Sequence, residues 1–161
     1  FKKLDENIKL NFLKDVQIKK EAVATKDGFQ EFIRVEGNST SSHLVGSAGK
    51  SPYGKLTKFL VPTVEFKNVL KNSFQIIKID VEGLEGSLLQ TLQDDDFENR
   101  LFLIEIGSMQ SARVTFELIE KLGLNAYSQK RNWSVVDSLE AIPISYHEGT
   151  LALSRSHTPW K

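Results

Sequence analysis

An α/β fold with a parallel sheet layered by helices is what this sequence predicts, and three observations predict it. Ile76-Ile77-Lys78-Ile79-Asp80-Val81 is dense in β-branched apolar residues, as suits a strand buried on both faces of a sheet. The run ends abruptly in Asp80, Glu82 and Gly83, and Leu84, Leu88, Leu89 and Leu92 follow at helical spacing. The alternation then repeats. Residues 101–106 form an apolar strand, Ala112, Phe116, Ile119 and Leu122 mark a helix, and residues 124–127 return as a strand. Strand, helix, strand, helix, strand implies parallel pairing.

The other elements follow in order. Leu4, Ile8 and Phe12 recur every four residues and predict an amphipathic helix packed by one narrow face. Residues 16–24 read as a strand, Asp27-Gly28 as a turn and residues 29–35 as a second strand, hence an antiparallel hairpin. Residues 37–57, with Ser39-Thr40-Ser41-Ser42 and Gly46-Ser47-Ala48-Gly49, read as a long loop. Residues 61–66 form a short extended piece, which Pro62 assigns to a sheet edge. Residues 75–81 are the predicted central strand. Asp94, Asp95, Asp96 and Glu98 read as a solvated loop. Gly123 can end the second long helix in a left-handed cap, and residues 150–154 form the last strand.

At 161 residues the chain is expected to be one domain with room for a real core. Its composition, 40% hydrophobic and 26% charged, is that of an ordinary globular protein. Lys and Arg total 21 and so do Asp and Glu, so no global charge favours nucleic acid or an anionic membrane. No apolar run is long enough to span a membrane, and no signal-peptide hydrophobic region opens the sequence. Cysteine is absent, which excludes disulfides, thiolate metal sites and a cysteine nucleophile. The expected location is cytoplasmic. The sequence begins at Phe1, already within a helical pattern, and reads as a piece of a longer protein.

Acids cluster where function is expected. Asp80, Glu82 and Glu105 end or follow apolar strands, and open α/β sheets bind ligands at the carboxyl ends of their strands. Asp80 and Glu82 fall on the same side if the strand continues through them. Glu85 stands in the first turn of a helix, where the dipole favours an acid, and is read as structural. His43, His147 and His157 share no metal-ligand spacing and are read as surface residues.

Residues 78–85, Lys-Ile-Asp-Val-Glu-Gly-Leu-Glu, resemble the signature of the FkbM-type methyltransferases, which use S-adenosylmethionine. The surrounding segments are similar in order. Residues 4–11 resemble the family's opening helix, Glu21-Ala22-Val23 a strand end, and residues 39–42 its serine-rich loop. Val61-Pro62-Thr63-Val64, residues 102–106 and residues 149–153 follow in the same sequence as their counterparts. The resemblance spans nearly the whole chain. It implies a Rossmann-like class I methyltransferase sheet with helices on both faces, S-adenosylmethionine as cofactor, and a small-molecule or glycan acceptor. The acceptor atom would be a hydroxyl on a sugar, glycan or secondary metabolite. One departure stands out: the family carries a glycine-rich cofactor loop after its first strand and a ribose-binding acid after its second. No G-x-G occurs here. The expectation is that those two strands precede Phe1, so that these residues hold about half of a cofactor pocket.

Methyl transfer from a sulfonium is an in-line displacement, governed by orientation and by handling of the acceptor's proton. Asp80 is the expected general base at the cofactor–acceptor junction, with Glu82 assisting or binding the acceptor; the plain alternative for Asp80 is a helix cap. The resemblance places Glu21, Ala22 and Val23 against the adenine. Ser41 and Ser42 can hydrogen-bond a ligand, or simply belong to a solvated loop. Glu105 either joins the crevice or makes a structural hydrogen bond. No metal is expected, although Asp80, Glu82 and Glu105 together offer the oxygen ligands that Mg²⁺ or Ca²⁺ takes. A metal-assisted hydrolase is therefore a second reading, and a non-catalytic binding domain of the same fold a third.

Overall fold

The computed structural model describes residues 1–37, 41–47 and 54–155. Helix α1 (Lys2–Leu10) opens the chain, followed by strands β1 (Ala22–Ala24), β2 (Gly28–Val35), β3 (His43–Leu44) and β4 (Leu56–Glu65). Helix α2 (Phe66–Leu70), strand β5 (Ile76–Ile79), helix α3 (Glu85–Leu89), strand β6 (Leu101–Ile104) and helix α4 (Met109–Leu122) form the middle. Strands β7 (Asn125–Ser128), β8 (Ser134–Val135) and β9 (Leu151–Ser154) complete it.

Among the described residues these strands make two mixed sheets, ordered β1-β4-β2-β3 and β5-β6-β9-β7-β8. The protein is thus α/β, but the parallel sheet expected from the alternation is only partly present. β5 and β6 pair in parallel, whereas β9 runs antiparallel to both β6 and β7. It follows that β5, β6 and β7 point the same way, and their carboxyl ends lie along one edge of the larger sheet.

The strand buried on both faces is β9 and not the predicted one. All four of its residues are buried. β5 is an edge strand with Ile76 66% exposed, because β6 lies on one side of it and no strand among the described residues on the other. A continuous apolar run marks burial, but it does not say which of several such strands takes the middle. The core gathers Ile79, Phe102, Ile104, Leu151 and Leu153 from the sheet with Leu88 and Leu89 from α3. Phe97 completes it, its ring centroid 4.9 Å from that of Phe102.

Phe97 also corrects the reading of the acidic run. Asp94–Phe97 is a short 3₁₀ helix closed by a capping box, in which the Gln93 N–H donates to Asp96 Oδ2 over 2.8 Å. The acids face solvent or form ion pairs while Phe97 is fully buried beneath them.

The amino-terminal half departs most. The hairpin of β1 and β2 is absent, since β4 lies between them, parallel to β1 and antiparallel to β2. Of residues 16–24 only Ala22–Ala24 is strand, and the short piece at 61–66 is the end of the ten-residue β4. Pro62 fits within it because β1 joins only from Thr63 onward, leaving a neighbour on one side alone at Pro62. Helix α1 forms as predicted, with Lys9 and Asp5 paired at 2.7 Å, but it buries none of its residues. Three apolar positions in so short a helix offer little to pack.

Helix α4 forms where its apolar spacing and Gly123 place it, and a cap not read from the sequence opens it. Ser108 Oγ accepts from the Ser111 N–H at the amino end, and Gly123 adopts a left-handed φ of 61° at the other. Helix α3 approaches it closely at Gly86, where a Cβ would lie 3.0 Å from the Ser111 Cα.

Candidate functional site

The parallel register brings the end of β5 beside the end of β6, and the Glu105 N–H donates to the Ile79 carbonyl over 3.0 Å. Lys78 precedes Asp80 by two residues, so both side chains leave the strand on one side. The Lys78 ammonium reaches Glu105 Oε1 at 2.7 Å and Asp80 Oδ2 at 3.1 Å. Those two carboxylates, Glu105 foremost, hold the Lys78 pKa above its ordinary value.

Past Asp80 the chain stops alternating. Glu82 has a left-handed φ of 51°, and Gly83 follows with φ 101°. The expectation that Glu82 would share a side with Asp80 by simple strand periodicity therefore fails; the turn sets its direction instead. Burial raises the Glu82 pKa, and the nearby carboxylates of Asp80, Glu85 and Glu105 raise it further.

Glu85 anchors that turn. It is 2% exposed, and its Oε1 accepts from the Gly83 N–H over 2.8 Å, while Oε2 has no hydrogen-bond partner among the described residues. Burial pushes this carboxyl above its usual range against the pull of its backbone hydrogen bonds. Glu85 is structural, as its position in the helix suggests. Asp80 is not the cap of α3: the N-cap position falls at Leu84, and no side chain caps it.

Most of the expected site residues meet in one pocket of about 290 Å³. Glu21, Ala22 and Val23 arrive from the start of β1, Ser42 and His43 from β3 and the residue before it, and Asp80 and Glu82 from the end of β5. Phe32, Leu44, Val81 and Leu84 supply apolar wall. Ser42 is held by the Val35 N–H, which donates to its Oγ over 3.2 Å. Ser41 is not among the lining residues, but its carbonyl accepts a 2.8 Å hydrogen bond from His43 Nδ1. His43 is therefore a half-buried pocket residue, where the sequence places it at the surface. His147 is exposed as expected, and His157, Ser39 and Thr40 lie outside the described residues.

Glu105 opens onto a second pocket, of about 730 Å³, shared with Gln129 and Lys130 after β7 and with residues 146–150 before β9. Asp80, Lys78 and Glu105 thus form a charged link between the two cavities. The oxygen ligand set of the hydrolase reading does not assemble: among the described residues no three His, Asp or Glu side chains come together as a metal site would require. No helix among them is long and apolar enough to cross a membrane.

Sequence reasoning missed Lys78, although an i, i+2 pair of opposite charges on one strand face was there to be read. It missed the second pocket for a better reason, since β9 closes the sheet between β6 and β7 from far along the chain. Compared with protein-family models, with curated proteins and with solved structures, the chain finds no match.

Proposed function

We propose that the protein is an S-adenosylmethionine-dependent methyltransferase acting on a hydroxyl. The observation that carries this reading is the convergence of Glu21, Ala22, Val23, Asp80 and Glu82 on one pocket at the carboxyl end of β5. The resemblance at residues 78–85 implies Asp80 and Glu82 as site residues, and that at residues 21–23 implies the other three. The lining suits part of the cofactor. Val23, Leu44, Val81 and Leu84 offer an apolar wall for a flat base, while the carboxylates suit ribose hydroxyls and a cationic sulfonium. At about 290 Å³ the space matches a portion of that molecule.

When bound, S-adenosylmethionine supplies the electrophilic methyl group. The chain's own task is to orient the acceptor and take its proton. Glu82 is the better proton acceptor, because burial and neighbouring carboxylates raise its pKa toward neutrality. Asp80, paired with Lys78 at the mouth of the pocket, serves to position and to balance charge. The test is release of S-adenosylhomocysteine by the intact protein supplied with S-adenosylmethionine and a mixture of hydroxylated acceptors. Turnover that falls sharply in Glu82→Gln supports the reading, and absence of turnover with every acceptor counts against it.

A further inference from the structure

The ribbon of β2 and β4 turns its apolar side outward. Residues opposed across an antiparallel ladder share a face, so the register puts alternate residues from Phe29 to Val35 beside alternate residues from Leu56 to Pro62. Six of these eight are apolar, and Glu31 and Lys58 are the two that are not. The face is nevertheless open: Phe29 is 73% exposed, Leu60 71% and Leu56 43%, and Pro62, opposite Phe29, is exposed as well. The other face mixes Gln30, Arg34 and Thr57 with Phe32, which lines the smaller pocket. A half-solvated antiparallel sheet ordinarily presents its polar side to water. Here the more apolar side is presented.

We propose that this face is the contact between two copies of the chain, packed sheet on sheet about a two-fold axis. Its charges select a second copy as the occupant. Lys58 Nζ lies 3.1 Å from Glu31 Oε2, and the two side chains are 54% and 43% exposed, free to meet groups from outside. An axis running along the strands, between β2 and β4, sets β2 of each copy over β4 of the other. Glu31 then meets Lys58 of the second copy, and Phe29 meets its Pro62. The face is thus complementary to itself, which an isologous contact requires. The whole chain carries 21 basic and 21 acidic residues, so no net charge holds two copies apart. Stacked sheets about 10 Å apart bury apolar faces of this kind. The contact lies on the far side of β2 from Phe32 and the smaller pocket, so it stands independently of the proposed function.

The experiment is sedimentation velocity on the intact protein across a concentration series, with thermal melting of each variant as a check on its fold. The unaltered protein should show a reversible monomer–dimer equilibrium. Leu60→Asp should weaken it by roughly thirtyfold or more, the scale of a central anchor lost from an interface. Lys58→Glu and Glu31→Lys, both at half-exposed positions, should each be monomeric, because like charges then meet across the axis. Mixed in equal amounts the two should dimerise, since each offers the charges that the other lacks, and a chain carrying both substitutions should dimerise by itself. Ile76→Lys, at the exposed edge of β5, should leave the dimer as it is. A monomer at every concentration, a dimer undiminished in Leu60→Asp, a mixture of the two charge variants that stays monomeric, or a dimer lost in Ile76→Lys would each overturn the inference.

Discussion

Lys78 and Glu105 stand on and just beyond neighbouring parallel strands with Nζ 2.7 Å from Oε1, and the same ammonium lies 3.1 Å from Asp80 Oδ2. One cation thus holds together two carboxylates that the sheet register forces side by side, at the point where the two pockets adjoin. Without it the register would leave Asp80 and Glu105 repelling one another.

Lys78→Met should therefore affect chemistry more than folding. The pairs are half-exposed, and such pairs contribute at most about 1 kcal/mol, or roughly 2–4 °C in melting temperature. Because the Lys78 pKa is raised in the folded protein, its contribution is complete below about pH 10.5 and is lost only as the pH rises beyond that. Removing the cation leaves Asp80 and Glu105 uncompensated beside the pocket, so turnover should fall across the whole pH–rate profile while the fold is kept. Calorimetry and pH–rate profiles of this variant check both halves.

Glu82→Gln should retain the fold and lose turnover by about 10²–10⁴-fold, the usual scale for removing a general base. Activity of the unaltered protein should rise with pH through a limb above 4.5, since burial and like charges raise the Glu82 pKa from that value. Asp80→Asn should cost less, through misplacement of Lys78 and the acceptor. If Asp80→Asn proves the more damaging of the two, the roles assigned to these acids are reversed.

Glu85 gives a pH signature in stability. Its folded pKa is raised, so the folded state favours the protonated form; stability is greatest below the unfolded value and declines as the pH climbs through the folded one. Glu85→Gln should abolish that decline above pH 4.5. Glu85→Ala should instead destabilise by about 1–3 kcal/mol, because it leaves the buried turn without its acceptor for the Gly83 N–H. Denaturant titrations across pH distinguish the two.

At the rim of the larger pocket, Gly149→Ala should destabilise by about 1–3 kcal/mol, the cost of a strained left-handed residue. Gln129 must also move, which breaks its hydrogen bond to the Thr150 N–H. Thermal melting of this single variant measures the effect.

How far the sequence could be read depended on the range of the interactions. Helix α4 and its Gly123 cap were legible because an apolar stripe and a terminal glycine are local signals, whereas the Ser108 cap at its other end was not read. The acids at the ends of β5 and β6 were legible because an apolar run that stops in a carboxylate is a local pattern too. The order of strands was not. β9 enters between β6 and β7, and β4 between β1 and β2, through pairings over long stretches of chain that no local periodicity encodes. His43 reached the pocket by the same route, carried there by the two-residue pairing of β3 with β2. Glu82 escaped simple alternation because its φ is positive, a conformation that residue type alone does not announce.

The most direct measurement is calorimetric titration of the protein with S-adenosylmethionine and S-adenosylhomocysteine. Ala22→Trp, which would fill the smaller pocket from the end of β1, is titrated beside it. The account predicts saturable one-to-one binding of both compounds, lost in Ala22→Trp while the melting curve persists. It also predicts that Glu82→Gln weakens the sulfonium compound more than its neutral product, since only the former carries the charge that the acid favours. Absence of binding to the unaltered protein, or binding undiminished in Ala22→Trp, would contradict the assignment of this pocket.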